Sequence, residues 1–475
     1  MHLRPRFSNL IIIFLLLCLA QVKAQDTLVV LKSITIQGIK VTKPQTILRE
    51  MNIAEGDKFP AQKVDAIMER NRFNVYNLGI FNDVDFNYVI DKDEVYLIIL
   101  VRERWYIEPV VHLAVEERTF GEWWEQRDLD RIIIGGGVNW KNLTGYNDQF
   151  YLYVQEGYTR VLQTSFRRPF IFPKAMIDLN VHYQYSENKE IIYSTNDSGI
   201  PLMARMPAGP IRYVQSGGID LTKRFNPLNR LTFSMGYQYY HPNDTVFRLN
   251  PDYLSTAEQQ AYYPLLRLSF VRDYRDWKAF PLKGYKLFTS IEQNGLGFLS
   301  TTSFFQIQAT WNQYLPISRR WNFAWATWHY STIGRDIPFY DKHFIGTGNF
   351  LRGFERYVID ATSMHVLQSE IRFALIPRQI VRFPLLKSRR PEKDLLRKFR
   401  DFPIAVYLVA FADAGYIRDD AYNRTFNYLK NRALGGYGVG INLLTLYDHF
   451  LRIEISRNNY DQKYGFFLSG RIAIR

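Results

Sequence analysis

The sequence of 475 residues contains one cysteine, Cys18, which excludes a disulfide scaffold and a cysteine-ligated zinc site. After residue 24 it also lacks any stretch of 18 uncharged apolar residues, so no transmembrane helix is expected. The eight histidines are scattered, and neither a His-x-x-x-His pair nor a Gly-x-Ser-x-Gly elbow occurs. We therefore predict no catalysis, no metal site and no cofactor.

What the chain has in excess is positive charge and aromatic residues. Its net charge is +14, and 9 Trp, 32 Tyr and 34 Phe make it 16% aromatic. Apolar residues at 47% and charged residues at 22% form a globular balance, which excludes wholesale disorder. A basic net charge first suggests that the protein binds nucleic acid, and the positions of the charges along the chain test this interpretation.

Residues 1–24 have the pattern of a cleaved secretory signal peptide. Arg4 and Arg6 precede an apolar stretch at 10–20, and Ala24 supplies the small residue at the cleavage site. The alternative, a membrane anchor, is disfavoured because this stretch is shorter than the ~20 residues that span a bilayer. Cleavage would remove Cys18 and leave a net charge of +11. An exported chain without a thiol is not expected to bind nucleic acid.

Residues 28–102 predict a small α/β domain of order β-α-α-β-β. The helices would cover one face of a three-stranded sheet. Strands are predicted at 28–39, 84–90 and 95–101, and helices at 44–51 and 60–78.

Residues 106–475 lose the helical period and become alternating segments of about ten residues. In 404–415, for example, every second residue from Ile404 to Ala414 is apolar. Sixteen such segments, joined by connections that are mostly short and long in turn, predict an all-β transmembrane barrel of about 16 antiparallel strands. A soluble sandwich shows similar alternation, but the signal peptide and the length of this region favour the barrel.

Several motifs resemble the POTRA-plus-barrel proteins of the outer-membrane assembly and translocation superfamily, which includes BamA, TamA and two-partner secretion transporters. The α/β domain resembles one POTRA domain, and the barrel resembles the bacterial surface antigen barrel. The most specific motif is Leu351, Arg352, Gly353 and Phe354 in the loop between strands 11 and 12, which matches the (V/I/L)-R-G-(F/Y) motif of the family. The other matches are 77–81, 142–145, 275–284 and the F-x-D-x-G sequence Phe411, Asp413 and Gly415 on strand 13.

The resemblance implies that this loop folds back into the barrel and that Arg352 docks near Asp413. Phe411, Asp413 and Gly415 alternate and therefore share the lumenal face, and a lumenal carboxylate requires a cation. In the alternative, Arg352 is a solvated loop arginine and Asp413 merely lines a wet lumen. Glu370 is either a second partner or simply a lumenal residue.

The implied function is insertion or translocation of client polypeptides at the outer membrane, with the POTRA domain in the periplasm. Implied partners are client outer-membrane or secreted polypeptides, outer-membrane lipids and accessory lipoproteins. Residues 84–90 are the candidate edge for a client strand, and strands 105–115 and 466–475, with Gly470, form the candidate barrel seam. A two-partner-secretion-like pore and a passive outer-membrane channel are the alternatives. The family pattern is not followed at the terminal Arg475, where an aromatic residue is common, or in the single POTRA domain.

The positive charges gather at one predicted end of the barrel, where they either attract anionic headgroups or form a solvated charged surface. They lie at Lys223, Arg224, Arg230, Arg272, Arg275, Lys278, Lys283, Arg319, Arg320 and in the basic turn 385–402.

Overall fold

A computed structural model describes residues 27–115, 127–206, 208–254, 258–334, 337–345, 351–382, 401–419, 427–444, 450–461 and 463–469. The predicted signal peptide, Gly470, Arg475 and nearly all of the basic turn lie outside these residues. Among the helices within them, none combines the length and apolarity needed to cross a bilayer.

The N-terminal domain is a four-stranded sheet with two helices. Its elements are β1 (Leu28–Gln37), α1 (Pro44–Leu48), β2 (Lys58–Pro60), α2 (Val64–Tyr76), β3 (Phe81–Asp91) and β4 (Glu94–Glu103). Strands β1 and β4 pair in parallel, β2 and β3 pair antiparallel at the outside, and the order is β2-β1-β4-β3. The expected three-stranded sheet was therefore wrong by one strand. Strand β2 escapes prediction because only three residues pair with β1.

Apolar spacing explains how this domain folds. Helix α1 begins at Pro44, whose fixed φ suits the first turn of a helix. Helix α2 buries Val64, Met68 and Val75 against the sheet. The chain then reverses at Gly79, where φ is +72°.

The rest of the described chain is dominated by one antiparallel sheet of sixteen strands, which forms the barrel. The strands after β4 are β5 (Ile107–Val115), β6 (Ile132–Lys141), β7 (Gln149–Gly157), β8 (Thr159–Phe172), β9 (Ile177–Asn188), β10 (Glu190–Thr195), β11 (Pro201–Arg205), β12 (Arg212–Asn226), β13 (Asn229–Pro242), β14 (Ala261–Asp273), β15 (Gly284–Asn294), β16 (Phe304–Pro316), β17 (Trp321–Ile333), β18 (His343–Ile345), β19 (Ile359–Ala361), β20 (Ser363–Arg382), β21 (Asp401–Arg418), β22 (Ala433–Leu444), β23 (Phe450–Asn458) and β24 (Tyr464–Ser469). All of them belong to the barrel except the hairpins β10–β11 and β18–β19. The predicted fold class and strand number are confirmed.

The two faces of the barrel wall follow the alternation of the sequence. On β21, Leu408 is exposed whereas Val409 and Phe411 are buried. Strand β21 extends beyond the alternating segment 404–415 at both ends. Successive side chains point to opposite faces, which places the odd-numbered residues of β21 in the lumen.

The aromatic residues occupy two places. One group is exposed on the outer wall beside the short turns, as in an interface girdle: Trp140, Phe172, Phe225, Tyr274 and Trp321. A second group is buried where helix α3 (Asp244–Leu249) and the hairpin β10–β11 cover the other end of the barrel: Tyr253, Tyr263, Phe304 and Phe339. The aromatic excess therefore serves both the outer wall and a packed interior.

Candidate functional site

The loop motif lies inside the barrel, between β18 and β19. Leu351 and Phe354 are fully buried and Arg352 is 2% exposed. Gly353 has a φ of +92°, which an L side chain rarely adopts, so a sharp turn is made possible at the loop tip. The loop thus places an arginine side chain among the lumenal residues of β20, β21 and β23.

Arg352 makes a bidentate ion pair with Asp413. Its Nη2 lies 2.6 Å from Oδ1 and its Nε lies 2.8 Å from Oδ2. The backbone N–H of Arg352 also donates to Oδ2, at 3.3 Å. Both side chains are withdrawn from solvent, so each charge depends on the other for compensation.

Glu370 is the second acid in contact with Arg352. Its Oε2 accepts from Arg352 Nη1 at 2.8 Å, and its Oε1 accepts from Arg372 Nε at 2.6 Å. Glu370 therefore stands between two arginines. A further carboxylate, that of Glu454, lies 3.6 Å from Arg352 Nη1.

Phe411 and Gly415 of β21 pack directly against the loop tip. The Phe411 ring lies 4.0 Å from the Arg352 guanidinium carbon, an arrangement that favours a cation–π contact. A Cβ on Gly415 would lie 3.1 Å from a methyl group of Leu351, which is tighter than ordinary packing. The structure thus brings together all the residues of the two motifs and Glu370.

Strand β22 carries two glycines that permit this close packing. A Cβ at Gly436 would overlap the carbonyl oxygen of Arg352, and one at Gly438 would meet the ring of Phe411 at 2.6 Å. These glycines alternate in the sequence segment 436–440, which by itself suggests only a strand. The dependence of Gly436 on a loop some eighty residues earlier, and of Gly438 on a neighbouring strand, gives no local signal.

Sequence reasoning also missed Arg372 and Glu355. Arg372 is fully buried, and the available signal was its position two residues after Glu370 on one face of a strand. Glu355 directly follows the motif, and its Oε2 accepts the backbone N–H of Gly353 at 2.9 Å. Glu355 thus holds the loop tip directly, and Arg372 acts on it through Glu370.

The 275–284 motif turn connects this site with the N-terminal domain. Arg372 Nη1 donates to the carbonyl of Pro281 at 2.7 Å, and its guanidinium carbon lies 4.5 Å from the Phe280 ring. On the other side of the turn, Asn77 Nδ2 donates to the carbonyl of Asp276 at 3.0 Å. A chain of direct contacts thus runs from the 77–81 turn to the loop tip.

The 142–145 motif turn forms a second contact between domain and barrel. The Gly145 carbonyl accepts from Lys43 N at 3.0 Å and from Thr46 Oγ1 at 2.7 Å. Gly145 has a φ of +88°, and a Cβ there would lie 2.5 Å from the carbonyl oxygen of Val41. Only glycine lets this turn approach the domain so closely.

An ion-pair cluster forms the third contact. Arg224 donates from Nη1 to Glu50 Oε1 and from Nε to Asp178 Oδ2, each at 2.6 Å. Arg275 likewise pairs with Asp273. Arg224 and Arg275 were expected either to attract headgroups or to be solvated, and both expectations are wrong because carboxylates hold their side chains.

Among the described residues, no group of three or more His, Cys, Asp and Glu side chains is arranged to hold a metal ion. The polar residues of the lumen instead form ion pairs with one another. The arrangement can hold a loop in place, and can release it only if buried charges lose their partners.

Family models and solved structures agree with this architecture. The model of the Omp85 superfamily domain matches residues 142–383, slightly more than half of the chain. The POTRA model, described as the surface antigen variable number repeat, matches residues 29–104. The chain belongs to the Omp85 superfamily. The resemblance inferred from the sequence motifs is thereby confirmed.

Solved structures show the same fold in this superfamily. BamA from Haemophilus ducreyi lacking POTRA domains 1–3 aligns at a TM-score of 0.51 and 15% identity, over 93% of this chain and 83% of that chain. CdiB from Escherichia coli aligns at 0.54 and 12%, over 94% and 74%. CdiB from Acinetobacter baumannii aligns at 0.50 and 13%, over 93% and 74%. A search of curated protein sequences finds no match.

Membership of the superfamily makes the sheet of β5–β24 an outer-membrane barrel and the N-terminal sheet a POTRA domain. The POTRA domain of this Omp85 protein contacts the short-turn end of the barrel through the two motif turns and the ion-pair cluster described above.

Proposed function

We propose that this Omp85 protein inserts or translocates client polypeptides at the outer membrane, with its POTRA domain in the periplasm. The observation that carries the proposal is the Arg352 loop tip, bound in the lumen to Asp413 and Glu370. A passive channel has no need of a buried ion pair that holds a loop in its lumen, nor of a docked POTRA domain. No step of the proposal requires catalysis or a cofactor.

The loop tip acts as a lock in this proposal. Arg352 holds the loop against β20 and β21, and its guanidinium packs on the ring of Phe411. Breaking a buried pair of this kind costs about 3–5 kcal/mol, because a charge is left without a partner. The lock therefore keeps the lumen in one arrangement until a client or partner supplies comparable contacts.

Strand β3 is the entry point for a client polypeptide. It lies at one edge of the POTRA sheet, and Val89 and Ile90 near its end are exposed. An edge strand offers unpaired backbone groups to which an extended segment can add. The client would then pass to the barrel seam between β5 and β24, which lie at the two ends of the described strand order.

Depletion of the protein, followed by quantitative proteomics of the outer membrane and the medium, tests the function. We expect several barrel proteins to fall together if it is an insertase. Loss of one secreted protein alone identifies the two-partner-secretion-like pore. If neither barrel nor secreted proteins change, the proposal is contradicted.

Accessory lipoproteins and outer-membrane lipids are further proposed partners. Crosslinking in intact cells, followed by isolation of the protein and mass spectrometry, tests this point. We expect lipidated proteins to be captured through the POTRA domain, and a variant that lacks an ordered POTRA domain to lose them.

A further inference from the structure

A polar cavity lies where the POTRA domain meets the barrel. It has a volume of ≈ 70 Å³ and is lined by α2, by the turn between β12 and β13, and by the turn between β14 and β15. Its lining contains two acids, Glu50 and Asp273. Six cationic side chains line it as well: Arg70, Arg167, Arg224, Arg230, Arg275 and Lys278.

Two of these cations already neutralise the two acids. Arg224 pairs with Glu50, and Arg275 Nε lies 2.8 Å from Asp273 Oδ1. Arg224 also pairs with Asp178, which lies beside the cavity. Arg224 and Arg275 therefore neutralise the two acids of the cavity, and four cationic side chains remain.

The other cations have no carboxylate partner among the described residues. Arg70 donates only to backbone carbonyls, and Arg167 Nη2 donates to the carbonyl of Asn147 at 3.4 Å. For Arg230 and Lys278, no ion pair exists within the part of the chain that the structure describes. Positive charges collected in a partly buried space repel one another unless an anion compensates them.

Two buried polar atoms of the lining residues have no protein partner within the described structure, and both are donors. They are Nε of Arg167 and Nδ2 of Asn74, a residue that is 8% exposed. Buried donors without acceptors cost free energy, whereas an acceptor-rich anion would satisfy them. The unpartnered donors and the unpaired positive charges therefore call for the same kind of ligand, an anion that accepts hydrogen bonds.

The pKa of Lys278 is lowered by its burial among the other cations. Burial, and then the neighbouring Arg230, lower the pKa of Lys278 to about 7. An anion in the cavity would oppose both effects, because it would favour the charged ammonium.

We propose that this cavity binds a phosphate group, held by Arg230, Lys278, Arg167 and Asn74, between the POTRA domain and the barrel. Guanidinium groups match phosphate oxygens in planar, bidentate geometry. The volume is several times the roughly 10–15 Å³ that one water requires, which leaves room for a tetrahedral oxyanion. The phosphate is either inorganic or the headgroup of an anionic phospholipid, since the exposed Phe225 and Tyr274 lie beside the same turns.

Binding to the full-length protein in detergent tests the site. Inorganic phosphate is titrated against chloride at equal ionic strength, by calorimetry and by the thermal unfolding midpoint. In a second arm, nanodiscs of phosphatidylglycerol or phosphatidylcholine are compared by lipid retention in native mass spectrometry. We expect Lys278→Met and Arg230→Gln each to weaken the bound phosphate species at least tenfold, and the exposed-turn control Arg319→Gln to leave it unchanged.

Each outcome decides the proposal. Binding of inorganic phosphate without retained phosphatidylglycerol identifies the free ion, and the reverse identifies the lipid headgroup. Lys278→Arg should restore binding, which separates a charge effect from misfolding. Absence of both phosphate binding and phosphatidylglycerol retention overturns the proposal, as does equal binding by the wild type and both cavity variants.

Discussion

At the scale of single residues, the Arg352 loop depends on charge geometry and on space. The guanidinium uses Nε and Nη2 for Asp413 and Nη1 for Glu370, so the planar fork is fully engaged. Lysine could supply the charge but not the fork. Gly436 of β22 provides the space, because a larger residue there would collide with the Arg352 carbonyl oxygen.

Arg352→Ala should release the loop tip, and Arg352→Lys should release it in part. The alanine variant leaves Asp413 buried without its cation and Glu370 with Arg372 alone, at a cost of about 3–5 kcal/mol. Heat-modifiable migration of the folded barrel in cold detergent gels, together with protease access to the loop, measures the effect. Asp413→Asn should behave like Arg352→Ala, and the exposed Arg432→Ala should match the wild type. Unchanged migration and access in both lock variants would show that the ion pair does not hold the loop.

Gly436→Ala should displace the same loop without changing any charge. The added methyl group would overlap the Arg352 carbonyl oxygen, whereas at Gly136 on β6 a Cβ meets nothing within 4 Å. Gly136→Ala is therefore the matched control. Loop accessibility to protease should rise in the Gly436 variant only, and an equal response of the two would contradict the steric explanation.

At the scale of elements, short turns connect the barrel with the POTRA domain. The turn before β7 accepts hydrogen bonds from α1, and the turn before β15 contacts both α2 and Arg372. The Glu50–Arg224–Asp178 cluster ties the end of α1 to β12 and β9. These contacts fix the POTRA domain against the same end of the barrel.

Acidification should loosen this junction. Burial acts to raise the pKa of Glu50, but Arg224, Arg230 and Arg49 outweigh it and hold the pKa below its usual 4.5. A lowered pKa in the folded state means that the stabilisation is present above that usual value and is lost as the pH falls below it. Hydrogen exchange of α1 at pH 7 and at pH 4, each divided by the intrinsic amide rate at that pH, should show weaker protection and so relatively faster exchange at the lower pH.

Glu50→Gln should produce the same faster exchange already at pH 7, because the Arg224 charge then loses one of its two carboxylates. The control is Glu69→Gln on the exposed face of α2. If Glu50→Gln keeps wild-type exchange at pH 7, the junction does not depend on this ion pair.

At the scale of the whole molecule, the proposed function requires that the POTRA domain and the loop lock belong to one connected structure. Contacts continue from Asn77 through the 275–284 turn to Arg372, Glu370 and Arg352. Such a path makes coupling physically reasonable, and measured effects on both ends must establish it.

Gly145→Val should separate the two parts of the molecule. The new side chain would meet the Val41 carbonyl, whereas at Gly209, with a φ of +77°, a Cβ would meet no described atom within 4 Å. Gly209→Val is the control because it carries similar backbone strain, roughly 1–2 kcal/mol. Small-angle scattering and limited proteolysis should show a detached POTRA domain for the Gly145 variant, together with reduced client assembly. An attached domain in that variant would mean that other contacts suffice.

Much of the fold could be predicted because its determinants are local. Period-two alternation fixes which face of each strand meets lipid, and the order of strands follows the chain when neighbours pair as hairpins. Arg352, Asp413 and Glu370 could be named because of the resemblance to family motifs, and the alternation of the strands placed Asp413 on the lumenal face. Strand β2 could not, because three residues carry too little pattern.

The sequence alone thus determined the export signal as a prediction, the POTRA-plus-barrel architecture and the motifs of the superfamily. Only the tertiary structure decided which residues contact them. Arg372 pairs with Glu370, Gly436 packs against the Arg352 carbonyl, and Arg224 pairs with Glu50. The tertiary structure also decided that Arg230 and Lys278 share one cavity. The physical reason is that partners of buried charges come from segments far apart in the chain, and only folding determines which of them meet.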